Sequence, residues 1–208
     1  MRTCMAPKRK FYCELVSWAR VMNLTHDLAV RIRRSGFRPD IVVAIARGGY
    51  VPARLLCDFL DLADLSSIRI VHYTAGAARR GDAVLAEGLC RSLDSKNVLL
   101  VDDVSDTGDT LALAREHLAG LGAAAVRIAV MHHKETSTVQ PDYHAHRIVK
   151  WRWIIYPWAV YEDVNGFLAR LNRRPADAGE AVKLLDSRFG LRIRRSLVER
   201  ILTLQQQK

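Results

Sequence analysis

Apolar and polar positions fall into blocks along this chain. Ile41-Val42-Val43-Ala44-Ile45-Ala46 and Val98-Leu99-Leu100-Val101 are short unbroken apolar runs, the pattern of strands buried on both faces. Other stretches carry a helical period. Val21, Leu24, Leu28, Val30 and Ile32 predict a helix from about Trp18 to Ser35, with Ser17 as N-cap and Gly36 as the stop. Further helices are expected over about Val51 to Leu60, Thr110 to Leu121 and Tyr161 to Leu171. Phe11 to Val16, Ser67 to Tyr73 and Ala123 to Met131 read as strands, with one or two more between Ile148 and Trp158. Thr74 to Ser95 is weakly patterned and predicts a long loop, a kind that is more often functional than idle. Arg173 to Gly179 reads as a linker, followed by two helices around Ala181–Phe189 and Arg195–Leu204. Strands alternating with helices predict an α/β fold with a mainly parallel, Rossmann-like sheet flanked by helices. Ligands on such sheets sit beyond the carboxyl ends of the strands.

Composition changes this picture little. At 208 residues, with 50% hydrophobic and 26% charged residues, the chain can bury one good core and carry an appendage. No apolar run is long enough to span a bilayer, and the basic start MRTCMAPKRKFYCELV has no apolar segment of the secretory kind. The expectation is a cytoplasmic protein with no membrane association. Cys4, Cys13, Cys57 and Cys90 show no metal-ligand spacing and are expected as reduced thiols, Cys57 in the core. The net charge of +10 is carried by small clusters such as Arg31-Arg33-Arg34 and Arg192-Arg194-Arg195. They look scattered and lack interleaved aromatics, so they read as solvated surface, and nucleic acid is not expected as a partner.

The chemistry concentrates in two loops, each following a buried strand. In NVLLVDDVSDTGDTL the apolar run meets Asp102-Asp103, then a small polar turn from Ser105 to Thr110, then a helix start. Backbone N–H groups, hydroxyls and the positive end of a helix dipole suit a phosphate. The two carboxylates suit sugar hydroxyls or a hydrated cation. Arg47-Gly48-Gly49 follows the other strand; the glycines permit close approach to an anion and the arginine offers a forked cation. No GxxxxGK[ST] is present, which argues against a P-loop. His132 and His133 are adjacent on a strand, point opposite ways, and make a poor chelating pair.

VLLVDDVSDTGDTL resembles the phosphoribosyl-diphosphate signature of the type I phosphoribosyltransferases, and IVVAIARGGYVPARLL is similar to that family's pyrophosphate loop. The resemblance covers about residues 15 to 165. It implies the type I phosphoribosyltransferase fold, with a phosphoribosyltransferase domain over residues 11–172, a small base-binding hood at about 143–165, and a C-terminal helical extension over 173–208. Asp106-Thr107-Gly108 is similar to the 6-oxopurine enzymes of the family, archaeal and bacterial, where the aspartate faces N7 of the base.

The resemblance implies roles residue by residue. Asp106 is the catalytic group. Asp102 and Asp103 hold the donor's ribose and, with it, Mg²⁺. Asp106, Thr107, Gly108, Asp109 and Thr110 form the 5-phosphate loop, with Asp109 turned outward. Arg47, Gly48 and Gly49 form the pyrophosphate loop. In MHHKETSTVQPDYHA, Lys134 falls on the lysine that contacts the purine O6. In WIIYPW, Trp153 falls on the tryptophan that stacks on the base, with Ile154 and Ile155 near the ring's edge. The implied reaction transfers 5-phosphoribosyl from phosphoribosyl diphosphate to N9 of guanine, hypoxanthine or xanthine, giving a nucleoside monophosphate and pyrophosphate, in purine salvage. A homodimer is expected, and the Thr74–Ser95 stretch, with Arg79 and Arg80, is the expected lid. Two alternatives are an enzyme for another base such as adenine, and a regulator that kept the fold as a nucleotide sensor and uses its basic surface or C-terminal helices on nucleic acid. One departure stands out: related proteins often carry an acid after Pro-Trp where this chain has Ala159, with Glu162 and Asp163 nearby.

Overall fold

The structure is a computed structural model that describes residues 12–73, 82–171 and 173–206. In chain order the elements are β1 (Cys13–Leu15), α1 (Trp18–Arg34), β2 (Ile41–Ala46), α2 (Tyr50–Leu60), β3 (Leu65–Tyr73), β4 (Asp82–Glu87), β5 (Asn97–Ser105), α3 (Asp109–Gly120), β6 (Ala125–Lys134), β7 (Tyr143–Ile148), β8 (Trp153–Ile155), α4 (Val160–Ala169), α5 (Ala178–Phe189) and α6 (Arg195–Gln206). They form two compact units. One is Ala19–Lys150; the other joins the described residues up to Trp18 with those from Trp151 onward.

The Ala19–Lys150 unit is built on a six-stranded sheet of order β4-β3-β2-β5-β6-β7. All neighbours are parallel except β3 and β4. The apolar runs fill its centre: Ile41 to Ala44 and Val98 to Val101 are fully buried. Strand alternation divides them between two faces. Ile41, Val43, Val98, Leu100, Ile128 and Val130 pack with Leu111, Ala114 and Leu118 of α3. The opposite face takes α2, and Thr25 of α1 reaches Met131 Sδ there at 3.6 Å. This is the helix-flanked, mainly parallel α/β sheet expected from the sequence.

Three boundaries differ from the expectation. β5 does not end at Val101: it runs through both acids to Ser105, pairing Asp102 with Val130 and Ser105 with His133. β6 likewise continues to Lys134. A buried strand can carry polar residues past the core where its end lines a cleft, and hydropathy alone does not reveal this. Within the expected Thr74–Ser95 loop, Asp82–Glu87 is an antiparallel edge strand, half-buried on alternate residues. Residues 74–81, including Arg79 and Arg80, lie outside the described residues.

The second unit pairs β1 with β8 in parallel, Cys13 opposite Trp153 and Leu15 opposite Ile155. Its core joins Ile155, Val160, Val164 and Phe167 to Ala181, Leu185, Val198 and Ile201. The last two helices therefore share one core with α4 rather than standing apart. β7 is the edge strand of the main sheet, and the division between the two units falls after Lys150. Asp177, placed in the expected linker, is the N-cap of α5: its Oδ1 accepts the Glu180 N–H at 2.8 Å.

Candidate active site

β2 and β5 are adjacent and parallel, with Ala44 opposite Val101, so the loops that follow them leave the same edge of the sheet side by side. The turn after β2 begins with a cis peptide between Ala46 and Arg47. Its glycines are close approaches. A Cβ on Gly48 would lie 2.5 Å from Asp103 Oδ2, and one on Gly49 would lie 2.4 Å from the Val101 carbonyl oxygen. The Arg47-Gly48-Gly49 turn and the acidic end of β5 thus form one continuous surface.

Being in a strand, Asp102 and Asp103 point to opposite faces. Asp103 meets the Gly48 turn on the α2 side. Asp102 follows Val98 and Leu100 towards the α3 side, and its Oδ1 accepts the Asp103 N–H at 2.9 Å. Desolvation, and then the Asp103 charge, hold the Asp102 carboxyl well above the usual carboxylate range, while that N–H pulls the other way.

The turn from Ser105 to Asp109 is held by the segment after β6. Gly108 has φ +99, and a Cβ there would lie 2.8 Å from the Val139 nitrogen and 2.9 Å from Thr138 Oγ1, so glycine is required on both counts. The Thr138 N–H and hydroxyl donate to the Thr107 carbonyl at 2.8 and 3.0 Å. Ser105 Oγ and Ser137 Oγ are 2.6 Å apart. Asp109 opens α3 and is exposed, and its Oδ2 accepts from the Thr107 hydroxyl at 2.7 Å. Thr110 follows in the first turn; its Oγ1 lies 3.1 Å from His72 Nε2 at the end of β3.

Asp106 meets Lys134 across the ends of β5 and β6. Lys134 Nζ donates to Asp106 Oδ2 at 3.0 Å; the lysine side chain is 4% exposed and the aspartate 38%. Thr136 Oγ1 donates to the Asp106 carbonyl at 2.9 Å. A buried ammonium therefore stands beside a reachable carboxylate, next to a cradle of N–H and hydroxyl groups. Four residues in this arrangement were not read from the sequence: His72, Thr136, Ser137 and Thr138. The hydroxyl run Thr136-Ser137-Thr138 directly after Lys134 is a signal that can be read. His72 carries none, because only the β3 pairing brings it to α3.

Trp153 and Ile154 belong to the other unit. Trp153 is half-buried, edge-on to Phe167 with ring centroids 6.4 Å apart. Its Nε1 donates to Asp163 Oδ1 at 2.9 Å. Ile154 is 8% exposed. Asp163, a nearby acid considered in place of the missing one at Ala159, is thus engaged by the indole. Burial raises its pKa, and the indole bond opposes that. Burial, and then the Asp163 charge, push the Cys13 thiol up to about 12.

The chain is similar to known proteins. The chain is similar to the xanthine-guanine phosphoribosyltransferase of Roseobacter denitrificans, 29% identical over 153 residues, covering 69% of this chain and 83% of that one. Among solved structures it is similar to the purine phosphoribosyltransferase from Pyrococcus horikoshii, with 34% identity, TM-score 0.63, and 70% and 93% of the two chains covered. It is also similar to a hypothetical protein from Neisseria gonorrhoeae with bound ppGpp, at 26% identity and TM-score 0.66, covering 80% of this chain and all of that one. The family model for the phosphoribosyl transferase domain matches residues 13–164, which span the Arg47-Gly48-Gly49 turn and the segment from Asp102 to Thr110. The chain belongs to the phosphoribosyl transferase domain family.

Proposed function

We propose that this chain is a purine phosphoribosyltransferase: it transfers 5-phosphoribosyl from phosphoribosyl diphosphate to N9 of a 6-oxopurine and releases pyrophosphate, in purine salvage. The carrying observation is the 3.0 Å pair of Lys134 and Asp106 beside the Thr107–Thr110 turn. A 6-oxopurine presents N7 and O6 on one edge. A carboxylate facing N7 and an ammonium facing O6 complement that edge, and the same ammonium opposes the amino group of adenine. The names of the Roseobacter and Pyrococcus relatives agree with this reading.

The residues divide the work. The 105–110 turn and the start of α3 take the 5-phosphate through N–H groups and hydroxyls. Arg47 and the Gly48-Gly49 backbone face the leaving pyrophosphate. As N9 bonds to the ribose C1 and the bond from C1 to pyrophosphate breaks, the N7 proton passes to Asp106. The base-binding roles of Trp153 and Ile154 rest in this reading on the family resemblance alone. Asp102 and Asp103 are hard oxygen donors at the ribose, and they fit Mg²⁺. Among the described residues no three His, Cys, Asp or Glu side chains are grouped to hold an ion. Such a donor set suits Mg²⁺ carried by phosphate oxygens and water with one or two carboxylates. Bound there, it would neutralise charge on the pyrophosphate. A cytoplasmic homodimer belongs to this reading on the family resemblance. No described helix is long and apolar enough to cross a membrane.

The test is a steady-state assay of pyrophosphate release with phosphoribosyl diphosphate and guanine, hypoxanthine, xanthine or adenine. Turnover with at least one 6-oxopurine and little with adenine is expected. Turnover with adenine alone overturns the base assignment. The Neisseria neighbour, whose structure holds ppGpp, favours a second reading as a nucleotide sensor. Tight ppGpp binding with no pyrophosphate release from any purine would select it.

A further inference from the structure

The formal charge of +10 is not scattered. Residues 13–164, the stretch that matches the family, hold eighteen Lys and Arg against eighteen Asp and Glu and carry no net charge. The whole excess lies in the flanks, +4 on residues 1–12 and +6 on residues 165–208. In the second flank ten basic residues stand against four acidic ones, and eight of the ten are arginine.

The four acids are already engaged within the fold. Glu180 accepts from Arg173 and from the Ala176 N–H. Glu199 pairs with Arg195 at 2.8 Å, and Asp186 lies 3.9 Å from Arg192. Asp177 caps α5. Arg170, Arg174, Lys183, Arg188, Arg194 and Arg200 are exposed and have no ion pair among the described residues. They sit on the end of α4, on α5, on α6 and on the links between them. Arg170, Arg173 and Arg188 line a cavity of about 330 Å³ together with Leu171, Leu184 and Phe189.

Cations spread over several elements suit a long polyanion better than a single small anion. The apolar residues of these helices argue against a bilayer as that polyanion. Ala181, Leu185, Val198 and Ile201 are buried in the unit's core, and Leu204 is the one openly exposed large apolar residue between 165 and 206 among the described residues. A helix that lies on a membrane keeps an apolar face for it. The excess of arginine over lysine favours phosphate, whose oxygens match the guanidinium fork.

We propose that residues 165–206 form a nucleic-acid surface that holds the phosphodiester backbone of a polynucleotide without reading its sequence. It lies beyond the family-matched residues, and its test is independent of which base the enzyme takes.

The test is fluorescence anisotropy of the full chain with a labelled, mixed-sequence single-stranded RNA over a salt series. Six phosphate contacts predict a slope of log K against log salt of about −4. The variant R170Q/R174Q/R188Q/R194Q should weaken binding at least tenfold and bring the slope to about −1. Its pyrophosphate release should equal that of the wild-type chain, which also reports that it is folded. Absence of binding by wild-type protein at low salt overturns the proposal, and that measurement needs no variant. So does an unchanged slope in the variant, which would assign binding to the first twelve residues. Preference for vesicles of anionic phospholipid over RNA overturns it as well.

Discussion

Lys134 Nζ lies 3.0 Å from Asp106 Oδ2, joining a buried cation at the end of β6 to a carboxylate at the turn after β5. The pair is unequal, because the lysine is almost fully enclosed and the aspartate is not. Loss of the aspartate therefore takes a carboxylate partner from a buried charge, whereas loss of the ammonium leaves a carboxylate that water can reach. In Lys134→Met the hydrogen bond proposed to O6 is lost while the stem volume is kept. A bond to a charged group contributes about 1.5–3 kcal/mol, so kcat/KM with guanine should fall roughly 10- to 150-fold. Activity with adenine should fall far less. Paired kcat/KM measurements on the two bases check this, and an equal fall for both would remove Lys134 from base selection.

Asp106→Asn keeps the shape of the side chain and removes the proposed proton acceptor. General-base loss of this kind lowers kcat by about 10²- to 10⁴-fold. The Thr107 carbonyl is held from outside by the Thr138 N–H and hydroxyl, so the affinity for phosphoribosyl diphosphate should persist. Equilibrium binding of the donor alongside single-turnover rates separates the two effects.

The two glycines of the Arg47 turn should fail in different ways. At Gly48 an added methyl meets the Asp103 carboxylate, a side chain that can move. Gly48→Ala should fold normally and raise KM for the donor by about tenfold or more, as a misplaced group does near a reacting centre. At Gly49 the methyl meets the backbone of Val101 and Ile45 at the centre of the sheet. Gly49→Ala should lose about 1–3 kcal/mol of stability, as overpacking does. Thermal melts and donor KM for both variants check the contrast.

His72 Nε2 lies 3.1 Å from Thr110 Oγ1, the hydroxyl expected at the 5-phosphate. Removing one partner of such a hydrogen bond costs about 0.5–1.5 kcal/mol. His72→Ala should therefore raise KM for the donor roughly two- to tenfold and leave KM for the base unchanged. A change in the base KM instead would place His72 elsewhere in the cycle.

The legible parts of this chain are those where one residue type does one job. Uninterrupted branched runs marked β2 and the start of β5, and the acid, glycine and hydroxyl order marked the loops between strand and helix. Asp102 and Asp103 were found as acids but not as strand residues, since hydropathy stops at the core while the hydrogen-bond ladder to β6 continues. β4 was missed because an edge strand with one half-buried face has too little apolar contrast. His72 and Asp163 gain their roles through β3 pairing and the approach of α4 to β8. No local pattern encodes either. The charge partition was open to reading in the sequence, but it emerges only when the chain is divided at the family's limits.

His133 and His144 face each other across β6 and β7 with ring centroids 5.3 Å apart. His133 is 5% exposed, and its Nδ1 has no hydrogen-bond partner. Both rings titrate below the ordinary 6.5. For His133, burial is the largest cause; Arg147 adds to it, while Gln140 and Glu135 oppose it. For His144, burial comes first, then His133, Arg31 and Arg147. The sign follows from proton counting. Below 6.5 the unfolded chain binds protons at these positions that the native chain refuses, so stability rises with pH in that window. The contribution is fully present above about 6.5 and is lost as pH falls from there towards the depressed native values. His133→Phe keeps a flat ring, removes one titrating group, and takes away the neighbouring charge that lowers His144. The melting temperature of the wild-type chain should fall between pH 7 and pH 5, and that of the variant should fall less. Melts at those two pH values check the difference, and equal slopes in the two proteins would show that the acid sensitivity lies elsewhere.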